Sequence, residues 1–164
     1  MSFYKTVLSS PIGEILLTGD GENLTGLWIK GQTPDSTADQ AVANASLPVF
    51  LKTADWLSRY FAGQKTAPGE LPLAPTGNAF RQRVWAALRE IPYGQTTTYG
   101  AVARRIEAET GRRMSAQAVG GAVGRNPIAI IIPCHRVLGA NGRLTGYAGG
   151  LHLKTALLEI EKIL

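Results

Sequence analysis

Cysteine is nearly missing from this chain: Cys134 is the only one in 164 residues, and histidine occurs only at His135 and His152. A disulfide within the chain is therefore excluded. Zinc sites built from four cysteines, or from two cysteines and two histidines, are out of reach, and the Cys134, His135 and His152 set would still need a carboxylate or water. No metal or other cofactor is expected. No apolar run approaches the ~20 residues of a membrane span, and no basic-apolar-small leader opens the sequence. These absences point away from the membrane and toward a soluble protein of the reducing cytoplasm, where a free thiol persists.

Acidic residues are scarce in one half only. Residues 80–164 hold twelve Lys/Arg against five Asp/Glu, whereas residues 1–79 hold five against seven. Ten of those twelve cations are arginine, whose planar fork suits phosphate. A basic surface can also be a solvated face that aids solubility, so charge alone favours nucleic acid only modestly.

At 45% hydrophobic the chain can bury a proper core. FYKTVLSS, GEILLTGDG and NLTGLWIKG alternate apolar and polar residues between glycine-rich turns and predict short antiparallel strands. Gln32 to Ser46 reads as a surface connection with room for a short helix. Leu51, Trp56, Leu57, Tyr60 and Phe61 recur at helical spacing up to Gly63. Ala67 to Gly77, with three prolines and two glycines, reads as extended loop. This places a boundary between an N-terminal domain, 1–76, and a C-terminal one, 77–164. The N-terminal domain shows no residue with an evident chemical task and reads as a scaffold.

Beyond the boundary the pattern turns helical. Phe80, Val84, Trp85, Leu88 and Ile91 share a face, with Asn78 as cap and Pro92 as stop. A second helix is expected from about Tyr99 to Glu109, closed by Gly111, and a third from Ser115 to about Gly124. This pair suggests a helix-turn-helix, although an ordinary packed pair is the commoner outcome for two short helices. The run IAIIIP reads as a buried strand leading into Cys134. Leu151 to Leu164 supplies a last amphipathic helix. The fold class is α+β: a small antiparallel-sheet domain followed by a mostly helical domain containing the helix-turn-helix.

A cysteine after an apolar run is most often inert. Here His135 could take its proton and lower its pKa from ~8.5. Adjacent strand residues point to opposite faces, so the pair cooperates only if the strand ends at Pro133 or a water links them. The imidazole also needs an orienting acceptor, for which Glu159 and Glu161 are candidates.

PCHRV, followed by TGYAGG and a terminal helix of the form K-x-x-L-L-x-x-E, resembles the O6-alkylguanine-DNA alkyltransferases. SPIGEILL, FRQRVWAALREIPYGQTTTYG and AVGGAVGRNP extend the resemblance over nearly the whole chain, in the family's order. The resemblance implies that Cys134 is the alkyl acceptor, alkylated once and irreversibly. It makes His135 the base, acting through water, Glu161 its orienting group, Asn126 a hinge tie and Tyr99 a donor to the flipped base or its phosphate. It places Gln117, Arg125, Arg136, Ala116 and Gly120 against duplex DNA carrying O6-alkylguanine or O4-alkylthymine. Tyr147, Ala148, Gly149, Pro133 and Val137 would line the pocket, and a monomer would suffice.

Three positions depart from that pattern. Gln117 stands where most relatives carry an arginine that fills the gap in the base stack. The turn holding Arg112 and Arg113 is about four residues longer than in many relatives. Ala148 replaces a serine found in some. Three other functions compete with this reading. They are a cysteine hydrolase, which needs an oxyanion hole that cannot be located; an alkyltransferase-like lesion binder, whose acceptor cysteine is usually tryptophan; and a helix-turn-helix regulator, for which no dimerisation segment is evident.

Overall fold

The computed structural model describes residues 2–147 and 149–164. It divides into two compact units, Met1–Thr76 with Pro127–Ile131, and Gly77–Asn126 with Ile132–Leu164.

In the first unit β1 (Tyr4–Leu8), β2 (Ile15–Gly19) and β3 (Leu24–Ile29) form an antiparallel meander. Then come α1 (Ser36–Gln40), β4 (Val42–Ala43) and α2 (Pro48–Phe61), giving the sheet order β3-β2-β1-β4 with β4 parallel to β1. Two expectations change here. The Gln32–Ser46 connection contains the strand β4 as well as a helix, and β3 is buried at every residue instead of alternating. The edge of β3 is covered by incoming backbone: Leu24 N–H donates to the Pro72 carbonyl and Leu27 N–H to the Pro127 carbonyl, each at 2.8 Å. Covering satisfies the open edge.

Helix α2 opens on Pro48 and buries Val49, Phe50, Trp56, Leu57 and Tyr60, with Trp56 and Tyr60 stacked at 5.6 Å. Leu51, expected on that face, is exposed.

The apolar run before Cys134 is not a strand. Ile128 makes one isolated bridge to Leu27, and the chain then turns, with Ile130 at φ 69°. Residues 128–132 are nonetheless almost completely buried. Apolar composition reported burial correctly, but among the described residues the run finds only the one bridge to Leu27 and so no continuous partner for a ladder.

The second unit runs α3 (Ala79–Leu88), β5 (Thr97–Thr98), α4 (Tyr99–Thr110), α5 (Ala116–Gly124), β6 (Val137–Leu138) and α6 (Leu151–Ile160). Side chains of Asn78, Thr98 and Ser115 accept from the backbone N–H of Arg81, Ala101 and Ala118, so each of α3, α4 and α5 begins on a capping residue. Gly111 ends α4 in the left-handed region at φ 70°. The turn to α5 is tied down by Glu107, whose carboxylate accepts from Met114 N–H at 2.7 Å. Trp85 on α3 is buried and donates to the Ala122 carbonyl on α5 at 2.8 Å, locking those helices together. Helix α6 ends at Ile160, earlier than expected, and leaves Glu161 at its C-cap.

Candidate active site

Cys134, His135 and Arg136 form one 3-10 turn directly after Pro133. A tight turn removes the objection that neighbours on a strand face opposite ways. From the turn the chain enters β6, which pairs in parallel with β5, Thr97 against Val137 and Thr98 against Leu138. That two-rung ladder sets the start of α4, and with it Tyr99, beside the cysteine turn.

His135 is fully buried, and its Nε2 lies 2.5 Å from Oε2 of Glu161. The other carboxylate oxygen accepts from Nε of Arg136 at 2.8 Å and from the Gly94 N–H at 3.0 Å. Glu161, and not the exposed Glu159, is the carboxylate that meets His135. Burial alone would raise the Glu161 carboxyl. The hydrogen bond and charge of His135, then Arg136 and the Gly94 amide, outweigh burial and hold the pKa down to about 2. Burial pushes His135 below its ordinary value, against the opposing pull of Glu161. The resting pair is a neutral imidazole donating from Nε2 to a carboxylate.

Cys134 departs from the expectation of a depressed pKa. Burial pushes the thiol up, and hydrogen bonds with Asn126 and Tyr147 and the charge of Lys154 only partly offset this. The resting sulfur is therefore a thiol. Asn126 also donates from Nδ2 to the Ile132 carbonyl at 2.8 Å, tying the two ends of the segment that leads to the cysteine. Burial also raises the Tyr99 phenol, with a hydrogen bond to Thr145 opposing and the neighbouring Cys134 adding to it.

Lys154 was missed as a site residue, although it opens the K-x-x-L-L motif. It is 0% exposed, and its ammonium donates to the carbonyls of Val137 and Thr145 at 2.7 Å each and of Gly146 at 3.2 Å. The same ammonium lies 5.9 Å from the centre of the Tyr99 ring. Such a lysine looks like any surface cation in sequence. Only its burial distinguishes it.

Of the residues expected at DNA, Ala116, Gln117 and Arg125 are exposed on α5 or at its end. Gln117, Gly121 and Arg125 are spaced four apart and so share one helix face. Gly120 is half-buried and backs onto Tyr99, whose ring lies 3.7 Å from where a Cβ would stand. Arg136 is a correction. It is 2% exposed and spends its guanidinium on Glu161 and, at 2.7 Å, on the Ile91 carbonyl, so it cannot reach a phosphate. Pro133 and Val137 flank the cysteine turn and are buried, and Gly149 is half-buried. Ala148 lies outside the described residues. Among the described residues no three His, Cys, Asp or Glu side chains gather as a metal site would require, and no helix is long and apolar enough to cross a membrane.

A buried lone thiol and an imidazole–carboxylate pair beside it lie in the same unit as a helix pair whose second helix exposes small residues. Two family models match the chain: 6-O-methylguanine DNA methyltransferase, ribonuclease-like domain, over residues 3–75, and the DNA binding domain of the same family over residues 79–163. The methylated-DNA–protein-cysteine methyltransferase of Methanosarcina acetivorans is 47% identical over 96% of this chain and 97% of its own. The protein of that name from Haemophilus influenzae is 44% identical over 99% of this chain and 88% of its own. The crystal structure of Mycobacterium tuberculosis OGT in complex with DNA superposes with a TM-score of 0.84 at 44% identity, covering 99% of this chain and 93% of that one. The chain belongs to the 6-O-methylguanine DNA methyltransferase family.

Proposed function

We propose that this protein repairs duplex DNA by transferring the alkyl group of O6-alkylguanine to Cys134, once per molecule. One observation carries the reading: the sole thiol of the chain adjoins an imidazole whose Nε2 is held at 2.5 Å by a buried carboxylate. With the Nε2 proton committed to Glu161, the acceptor lone pair of neutral His135 is on Nδ1, which takes the thiol proton through a water. Sulfur then attacks the alkyl carbon in line. The S–C bond forms, the C–O6 bond breaks, and the electron pair leaves with guanine, which recovers a proton. The thioether is not hydrolysed, so the protein is consumed.

A buried thiol cannot reach a stacked base, and the nucleotide must rotate into the pocket at a cost of a few kcal/mol, less for a damaged base. The arginine-rich unit offsets that cost through phosphate contacts. Tyr99 donates to the flipped base or its phosphate, and Asn126 and Tyr147 position the sulfur. Acceptor, base and orienting acid all lie in one chain, so a monomer suffices. A free thiol suits the cytoplasm.

Mixing the protein with duplex DNA containing O6-methylguanine and measuring intact mass tests this reading. The expected result is one added methylene, mapped to Cys134 and absent in Cys134→Ser, with one guanine restored per protein. An unchanged mass, or continued turnover, overturns it.

A further inference from the structure

A guanidinium at 2% exposure has lost its hydration and persists only where fixed acceptors replace it. Arg136 has two such acceptors and an aromatic face. Nε donates to Oε1 of Glu161 at 2.8 Å, Nη1 donates to the Ile91 carbonyl at 2.7 Å, and the group lies 5.7 Å from the centre of the Tyr93 ring. Gly94 N–H reaches the same Oε1 at 3.0 Å. Two donors therefore occupy Oε1, and the carboxylate plane is set so that Oε2 meets His135. The 91–94 turn, the cysteine turn and the end of α6 are joined through this one cation.

Charge gives the contact a second role. A neutral His135 cannot balance a buried Glu161 anion, and Arg136 is the cation in direct contact with it. The other ionisable groups facing the pair are Lys154, Cys134 and Tyr93. The Lys154 ammonium is bonded to backbone carbonyls, Cys134 rests as a thiol, and burial raises the Tyr93 phenol, so it too is neutral.

We propose that Arg136 is a positioning residue for alkyl transfer: by holding Oε1 it keeps Glu161 anionic and oriented, and so fixes His135 in the tautomer whose acceptor is Nδ1. This rests on the reading of His135 as the base. Lysine would supply the charge but not the planar fork that reaches Glu161 and Ile91 together, and methionine would supply only the stem.

The test is the single-turnover rate on O6-methylguanine duplex DNA as a function of pH, together with the 15N NMR tautomer of His135, in Arg136→Met and Arg136→Lys. Without the cation the His135–Glu161 pair takes up a proton at higher pH. The acid limb should rise by on the order of one pH unit in Arg136→Met, so that the rate loss is greater at pH 6 than at pH 8 by a factor of a few and by at most ~10, with Arg136→Lys between. The Nδ1–H tautomer should appear in both. An acid limb and tautomer unchanged from the parent, with only the melting temperature lowered, would overturn the proposal. Should Arg136→Met fail to fold, Arg136→Lys decides by the same criterion. His135→Gln is run in parallel. If it leaves rate and acid limb untouched, the base assignment falls and the proposal with it. If it abolishes the limb while Arg136→Lys leaves it in place, only the proposal falls.

Discussion

Lys154 donates from a fully buried ammonium to the carbonyl of Thr145 at 2.7 Å, pinning the glycine-rich loop to the first turn of α6. The Val137 carbonyl shares that ammonium, so loop, helix and the strand after the cysteine turn converge on one charge. Replacing Lys154 by methionine keeps the stem and removes the donors. Val137 is buried, and its orphaned carbonyl costs about 1–3 kcal/mol. Hydrogen exchange should speed up across residues 139–147, and alkyl transfer should slow. Unchanged exchange in that loop would show that the ammonium does not hold it.

The His135–Glu161 pair sets an acid limit on stability. Both groups have folded pKa values below their unfolded ones, so each contributes stability that is present above the unfolded pKa and lost as pH falls. The loss begins near the ordinary histidine value of 6.5 and steepens below the ordinary glutamate value of 4.5, continuing toward about 2. The glutamate part is worth about 3 kcal/mol, from a shift of roughly two and a half pKa steps. Denaturant unfolding at pH 7, 5.5 and 4 should show this decline, and Glu161→Gln should flatten its lower portion.

Gly77 lies against the indole of Trp85, whose Cη2 is 2.4 Å from where a Cβ would stand. Trp85 cannot retreat without giving up its bond to the Ala122 carbonyl. Gly77→Ala should destabilise the protein by about 1–3 kcal/mol, the usual range for overpacking. A chemical denaturation midpoint equal to that of the parent would contradict this.

Gln117 is exposed near the start of α5, where it can bond to an orphaned base but carries no charge or stacking plane. Gln117→Arg should tighten duplex binding and steepen its salt dependence by about one phosphate contact, a slope change of ~0.9. Affinity measured across a salt series reads both quantities. Repair of duplex substrate should quicken, and slower repair would argue against the expected role of this position.

Local chemistry made much of the second unit legible. Asn78, Ser115 and Gly111 are short-range signals, since a cap or a left-handed stop acts within one helical turn, and the helices begin and end where they indicate. The IAIIIP run was different. Its composition reported burial, but a strand also needs a partner along its length, and Ile128 finds one rung only. Strand β4 escaped notice because two exposed residues carry no pattern.

The residue types of the site were legible as well: one thiol, one adjacent histidine and a terminal-helix glutamate, with the choice of Glu161 over Glu159 resting on resemblance. The two buried cations were not. Arginine and lysine are read as surface residues because an unpaired buried charge is prohibitive, and nothing local announces the acceptors that make burial tolerable. Those acceptors are Ile91 for Arg136, and Val137 for Lys154, 45 and 17 residues away. Sequence alone determined which groups could do the chemistry, where α3, α4 and α5 start and where α4 stops. Tertiary structure decided that Cys134 rests protonated, that Arg136 is spent on Glu161, and that Lys154 holds the glycine-rich loop, because pKa and charge pairing depend on neighbours that only folding brings together.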